Sequence, residues 1–239
     1  MTKEEKDISR VMELESRKLS TDEDREEVIK TQKKVEQQND LIATDIQEQL
    51  EQHNIKSFDL VGAIGSGKTA ILERICKKLG PKKRILVICG DITTRVDADR
   101  IKKNKVKTIQ INTGRECALN AYHINKIIDN VELSDYDAVF IENVGNLICP
   151  SEFMLGMDMR IVVVSITEGE WVVEKHPMLF KMSKIAIINK IDLLERLNTD
   201  IDKMIADAKE INPDIDVVTT SAKTGEGIEK LMELMELES

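Results

Sequence analysis

The chain has 239 residues, 33% of them charged and only 3% aromatic, with a formal net charge of −9. That length holds one domain with a full core plus an appendage, and the acidic balance with scattered Lys and Arg excludes a nucleic-acid partner from the expectations. No apolar run approaches the roughly 18 residues of a membrane span and the charged start does not read as a signal peptide, so a cytoplasmic protein without membrane contact is expected.

The first 56 residues contain no Gly, Pro, Phe, Trp or Tyr and are dense in Glu, Lys, Gln and Asp. Such a composition favours helix but cannot build a core alone. Residues 11–18 read as helix, and Ser20 with Glu23 forms a capping-box pattern from which a helix restarts. Val28, Val35 and Ile42 recur every seven residues, and Ile46 and Leu50 extend this thin apolar stripe, which suits packing on the following domain or on a partner. Asn54 is the expected helix stop, and residues 1–20 the expected frayed end. The chain therefore divides into a charged helical extension, 1–56, and a domain, 57–239.

Residues 57–61 read as a short buried strand and residues 70–79 as a helix. Between them stands Gly62-Ala63-Ile64-Gly65-Ser66-Gly67-Lys68-Thr69, which has the spacing G-x-x-x-x-G-K-[ST]. A glycine-rich turn between strand and helix aims backbone N–H groups at a phosphate, and the helix dipole adds to the attraction. Gly62, Gly65, Ser66 and Gly67 form this cradle, Lys68 reaches the β/γ-phosphates, and the Thr69 hydroxyl ligates Mg²⁺.

Three further strand ends carry chemistry. The strand at 84–89 leads into Gly90-Asp91, where a carboxylate can face Mg²⁺ and the γ-phosphate. The strand at 137–142 ends in Glu142, followed by Gly145. This resembles D-x-x-G with Glu for Asp, in which Glu142 acts on Mg²⁺ and the Gly145 N–H senses the γ-phosphate. Asn146 stands where Ras-like GTPases carry the Gln that orients the attacking water, so slow intrinsic hydrolysis is expected. The strand at 184–188 ends in Asn189-Lys190-Ile191-Asp192, the N-K-x-D pattern. Asp192 can accept two hydrogen bonds from guanine, and adenine lacks that donor pair. Val217-Val218-Thr219-Thr220 then leads into Ser221-Ala222-Lys223, which matches the loop that backs guanine.

Strands and helices alternate from Ser57 onward, which predicts an α/β fold whose mostly parallel sheet is covered by helices on both faces. The four cysteines lack close spacing, which fits a reducing compartment better than a disulfide framework. Cys76 and Cys89 fall in a helix and a strand and read as core residues.

After Glu142, the run Asn143-Val144-Gly145-Asn146-Leu147-Ile148-Cys149-Pro150 resembles the E-N-V-G-N-L-[VI]-C-P stretch of the HypB family, GTPases that help load nickel into [NiFe]-hydrogenase. Asn112-Thr113-Gly114-Arg115-Glu116-Cys117 is similar to that family's T-G-x-x-C-H segment. Asp97-Ala98-Asp99-Arg100 fits its switch region, and Glu168-Gly169 and Lys175-His176-Pro177 resemble the segment before N-K-x-D. The likeness runs from about Asn39 to the C-terminus. It implies the SIMIBI class of P-loop GTPases, a GTP-dependent homodimer, and Ni²⁺ or Zn²⁺ held by Cys117 and Cys149 close to the switch loops. It also implies a HypA-like nickel accessory protein and the hydrogenase large-subunit precursor as partners. Ala118 departs from the family, which has His there, and His123 lies six residues beyond Cys117 as an imperfect substitute. Four thiolates from two subunits would complete a site. The first 75 residues contain no Cys and a single His, His53, so the N-terminal metal-storage motif of many bacterial members is missing. A metal-independent regulatory G protein, or a GTPase serving another nickel enzyme such as urease, are the alternative readings.

Overall fold

The structure, a computed structural model, describes residues 22–91, 96–114 and 116–237. The helix expected over 11–18, the Ser20 cap and the frayed end lie outside them.

Helix α1 (Asp22–Gln52) runs up to the first strand. Its C-terminal half buries Ala43, Ile46 and Leu50, the last two without any exposure, which contributes about 2 kcal/mol for each large side chain. The part of the stripe formed by Ile42, Ile46 and Leu50 therefore packs on the domain. The helix stops at Asn54, whose φ of 54° is left-handed. Asn54 N donates to Glu51 O at 2.9 Å and Ile55 N to Leu50 O at 3.0 Å, so two end carbonyls are satisfied while Ile55 packs in the same cluster as Leu50.

Seven strands follow: β1 (Lys56–Val61), β2 (Ile85–Asp91), β3 (Lys107–Asn112), β4 (Ala138–Glu142), β5 (Met159–Ser165), β6 (Ile185–Asn189) and β7 (Asp216–Thr220). All pair in parallel, in the order β3-β2-β4-β1-β5-β6-β7. The helices between them are α2 (Lys68–Leu79), α3 (Val96–Lys102), α4 (Ala121–Ile128), α5 (Val172–Lys175), α6 (Pro177–Lys181), α7 (Ile201–Ile211) and α8 (Ile228–Leu234). Parallel strands covered on both sides must be apolar on both sides, and the burial of β4, β5 and β6 follows that rule.

Alternate side chains sort the core into two faces. Phe58, Leu60, Phe140, Val163 and Ile187 pack with residues of α2, α3 and α8. On the opposite face Leu86, Ile88, Val139 and Ile141 pack under α1 and α4, while Val162, Val164, Ala186 and Ile188 pack under α5, α6 and α7. The chain changes direction across the sheet at β1, which lies between β4 and β5. In such sheets ligands bind in the crevice beyond the carboxyl ends of the strands, and the phosphate loop after β1, Glu142 at the end of β4, Asn189 to Asp192 at the end of β6 and Ser221 to Lys223 after β7 lie on that edge. No helix among the described residues is long and apolar enough to cross a membrane.

Candidate functional site

The phosphate loop leaves β1 at Gly62 and enters α2 at Lys68. Two of its glycines are dictated by space. A Cβ on Gly67, whose φ is +109°, would stand 2.1 Å from Asn189 Nδ2, and one on Gly62 would stand 2.1 Å from the carbonyl oxygen of Val163. Lys68 is almost fully buried, and its Nζ donates to Gly62 O and Ala63 O at 2.9 and 3.0 Å. Burial lowers its pKa, with Glu142 and Asp97 pulling it back up. Ser66 Oγ is buried without a hydrogen-bond partner, a polar atom that a bound phosphate would satisfy.

Three oxygens converge next to this loop. Thr69 Oγ1 lies 2.5 Å from Glu142 Oε1 and 2.9 Å from Asp97 Oδ1. Burial pushes the Glu142 carboxyl up to about 7, the Thr69 hydrogen bond opposing it and Asp97 adding to it. Its second oxygen, Oε2, is buried and unpartnered. A hydroxyl between two carboxylates, with an orphaned carboxylate oxygen, is a donor set that fits a hard divalent cation. Nothing in the pattern Asp97-Ala98-Asp99-Arg100, which fits a switch segment, marks Asp97 as a metal ligand; its approach to Thr69 does. Asp91 ends β2, where its carbonyl accepts from Thr113 N at 2.9 Å, and residues 92–95 lie outside the described part. A Cβ on Gly145 would come 2.3 Å from Ile64 Cγ1, so Gly145 lies directly against the phosphate loop. Gly62 and Asn146 form an antiparallel bridge beside it.

At the other end of the crevice, Asn189 ties the base-side loops to the phosphate loop. Its Nδ2 donates to Ser66 O at 2.9 Å, and its Oδ1 accepts from Thr220 Oγ1 and Ala222 N, both at 3.1 Å. Lys190 has a φ of 67°, and its ammonium donates to Thr167 Oγ1 at 3.2 Å. Asp192 opens the next turn. Ser221 Oγ donates to its Oδ1 at 2.6 Å, and Lys223 Nζ lies 3.7 Å from its Oδ2. The Ser221 hydrogen bond holds this carboxyl below its ordinary value, so it is ionised and acceptor-only at neutral pH. Gly67, Asn189, Lys190, Asp192, Ala222 and Lys223 all line one cleft of about 750 Å³.

The structure joins Cys117 and Cys149 in a disulfide, with S–S 2.22 Å and Cα–Cα 6.0 Å. This corrects the expectation that no cysteines pair. The two lie 32 residues apart in the chain; Cys117 follows β3 and Cys149 follows β4, and β2 alone separates those strands in the sheet. Reduced, the pair presents two sulfurs at one point, which thiophilic ions favour. Among the described residues no three His, Cys, Asp or Glu side chains cluster as a metal site, so the described part of one chain offers the sulfur pair without a third such ligand. His123 does not complete it. His123 Nδ1 accepts from Asn120 N at 3.3 Å, Asn120 Oδ1 accepts from His123 N at 3.1 Å, and Nε2 lies 3.5 Å from Glu116 Oε2. The imidazole caps α4, and burial lowers its pKa. Asn146 Oδ1 accepts from Ile148 N and Cys149 N at 2.7 and 3.1 Å, which engages that amide in the cysteine turn. Cys76 and Cys89 are buried free thiols, and burial pushes the Cys76 thiol up to about 12.

The family profile described as CobW/HypB/UreG, nucleotide-binding domain, matches residues 57–219. A probable hydrogenase maturation factor HypB from Methanocaldococcus jannaschii is 46% identical over 187 residues, 78% of this chain and 85% of that protein. The crystal structure of hydrogenase maturation factor HypB from Archaeoglobus fulgidus aligns with a TM-score of 0.78 at 40% identity, covering 83% of this chain and 97% of that one. The structure of HypB from Helicobacter pylori in complex with nickel aligns with a TM-score of 0.78 at 32% identity, over 83% and 94% of the two chains.

Proposed function

The chain belongs to the HypB branch of the CobW/HypB/UreG nucleotide-binding family, and from that premise we propose that it is a GTP-hydrolysing metallochaperone that gates nickel transfer to a [NiFe]-hydrogenase precursor. In this reading Gly62 to Thr69 hold the phosphates and Lys68 clamps their charge. Thr69, Glu142 and the switch carboxylates Asp91 and Asp97 would hold Mg²⁺, which would supply neutralisation of phosphate charge for the hydrolysis of GTP to GDP and phosphate. Asp192, kept ionised by Ser221, reads guanine. Cys117 and Cys149, reduced in the cytoplasm, carry the metal ion as cargo. Two chains facing each other would supply four thiolates, and a HypA-like accessory protein would be the metal's source or next holder.

One observation carries the reading: the nucleotide and sulfur sites share a segment. Glu142 meets Thr69 at 2.5 Å, and the amide of the next residue, Asn143, accepts from Leu119 N at 3.0 Å, two residues past Cys117. Asn146 bridges Gly62 by its backbone and caps Cys149 by its side chain. A change in the phosphate loop therefore has a short path to both cysteines. The test is transfer of nickel from protein loaded with GTP, or with a non-hydrolysable analogue, to the hydrogenase precursor or a competing chelator. Transfer should follow phosphate release with GTP and be slow with the analogue; equal rates in both would contradict the proposal. Ala118, buried beside Cys117, favours the second reading, a regulatory G protein that carries no metal, which nickel binding to the unmodified chain distinguishes.

A further inference from the structure

Where β1 and β5 pair, Phe58 with Met159, Leu60 with Ile161 and Val61 with Val162 are apolar, and Asp59 opposite Arg160 is the exception. Both side chains are 2% exposed, and Arg160 Nε donates to Asp59 Oδ2 at 2.9 Å. A buried ion pair is a poor source of stability compared with apolar packing, and its better-attested use is to fix one arrangement among several. Here the remaining polar atoms show which arrangement is fixed. Arg160 Nη1 donates to Pro150 O at 2.9 Å, and Nη2 donates to Phe153 O, so the guanidinium fork grips the chain immediately after Cys149. The other carboxylate oxygen, Asp59 Oδ1, accepts from Asn143 Nδ2 at 3.2 Å. Asn143 Oδ1 in turn accepts from Leu119 N and Val144 N, both at 3.0 Å, and so grips the chain after Cys117. One carboxylate thus holds both cysteine loops, one through each oxygen. It stands three residues before the phosphate loop, and its Asn143 partner stands one residue after Glu142.

We propose that the buried triad Asp59–Arg160–Asn143 is a positioning device that sets the spacing of Cys117 and Cys149 and transmits the state of the nucleotide site to it. This rests on the metal-carrying reading above for its functional meaning, but the geometry can be tested without any metal. The triad touches neither nucleotide nor ion; it holds backbone groups whose loops carry the sulfurs, as outer hydrogen bonds orient metal ligands elsewhere. An ammonium cannot replace the fork, because Lys offers a point charge and Arg a rigid planar set of donors.

The experiment compares the full chain with Arg160→Lys and Asn143→Leu. Arg160→Lys keeps the charge opposite Asp59 and so guards against simple unfolding. GDP affinity within about threefold of the parent establishes that the fold and nucleotide site survive. Two readouts then decide. The first is nickel titration, using Ni²⁺ alone and following thiolate-to-nickel absorbance with GDP and with a GTP analogue bound. Both variants should weaken nickel binding tenfold or more and lose the difference between the nucleotide states. The second is the equilibrium of Cys117 and Cys149 with glutathione. Two thiols and one oxidised glutathione give the protein disulfide and two reduced glutathiones, and the constant for this exchange should fall about tenfold in each variant. If the parent binds no nickel, the metal-carrying reading fails while the glutathione exchange still judges the triad. Folded variants with an unchanged exchange constant, or with parental nickel affinity and nucleotide dependence, would overturn the proposal. Should both variants fail to bind GDP, the triad supports the fold as a whole, and its role as a specific positioning device is likewise overturned.

Discussion

Removing the Glu142 carboxyl should change how stability depends on pH. This group titrates at about 7 in the folded chain against an ordinary 4.5, chiefly because it is buried. The native state therefore binds a proton more tightly than the unfolded state, and stability must fall as pH rises between those values. At 1.36 kcal/mol per pH unit the full effect is about 3 kcal/mol. It is wholly present below pH 4.5, where both states hold the proton, and lost once pH passes the folded-state value. Between pH 5.5 and 8 the loss is about 2 kcal/mol, large against the marginal stability of a domain. The assay is urea denaturation of nucleotide-free protein in chelator across that range, for the parent and Glu142→Gln. The parent should lose about 2 kcal/mol relative to the variant as pH rises. If Glu142 helps to hold magnesium, the cation would take the place of the proton in the presence of nucleotide, and the pH dependence should flatten. Parallel pH profiles for parent and variant in chelator would refute the burial argument.

Asp192→Asn should lower GTP affinity and move preference toward xanthosine nucleotides, whose added carbonyl suits an amide donor, while the parent should prefer GTP over ATP by roughly two orders of magnitude; competition binding with the three nucleotides measures both. Lys68→Ala should abolish hydrolysis with little change in melting temperature, since it removes a phosphate contact and not an apolar core group; parental turnover should itself stay well below about one per second because the Asn146 amide is engaged at Cys149. Replacing Ala118 with His should tighten nickel binding and shift its stoichiometry toward one ion per chain by supplying a third ligand, as read by calorimetric titration; no change would mean that position 118 does not face the sulfurs.

The phosphate loop was legible in the sequence because its physics is local: strand, glycine turn and helix follow one another within some twenty residues. Asp192 was legible because it directly follows an apolar strand. What was not legible depends on long-range pairing. Asn189 belongs to the base motif in the sequence, yet its three hydrogen bonds reach residues 123, 31 and 33 positions away, and nothing in N-K-x-D announces the latch to Ser66. Asp97 stayed in the background because its approach to Thr69 depends on where α3 packs. The pairing of Cys117 with Cys149 likewise follows from strand order, which spacing alone does not reveal. Asp59 and Arg160 did leave a signal: opposite charges each interrupt an otherwise apolar strand, Phe58-Asp59-Leu60 and Met159-Arg160-Ile161. An isolated charge in a doubly covered strand requires a buried partner, and the two interruptions are the natural pair. At the N-terminus the thin stripe gave the packing face of α1, but the side chain of Val28 lies outside the described part.

The most direct test of the account as a whole is nickel titration of the reduced, unmodified chain in its GDP-bound and GTP-analogue-bound forms, with molecular mass followed by sedimentation in the same samples. The account predicts that the analogue drives a two-fold dimer, that nickel then saturates at one ion per two chains, and that its affinity exceeds that of the GDP form. Nickel binding that is absent in both states, or that is identical in both at an unchanged monomer mass, would contradict it.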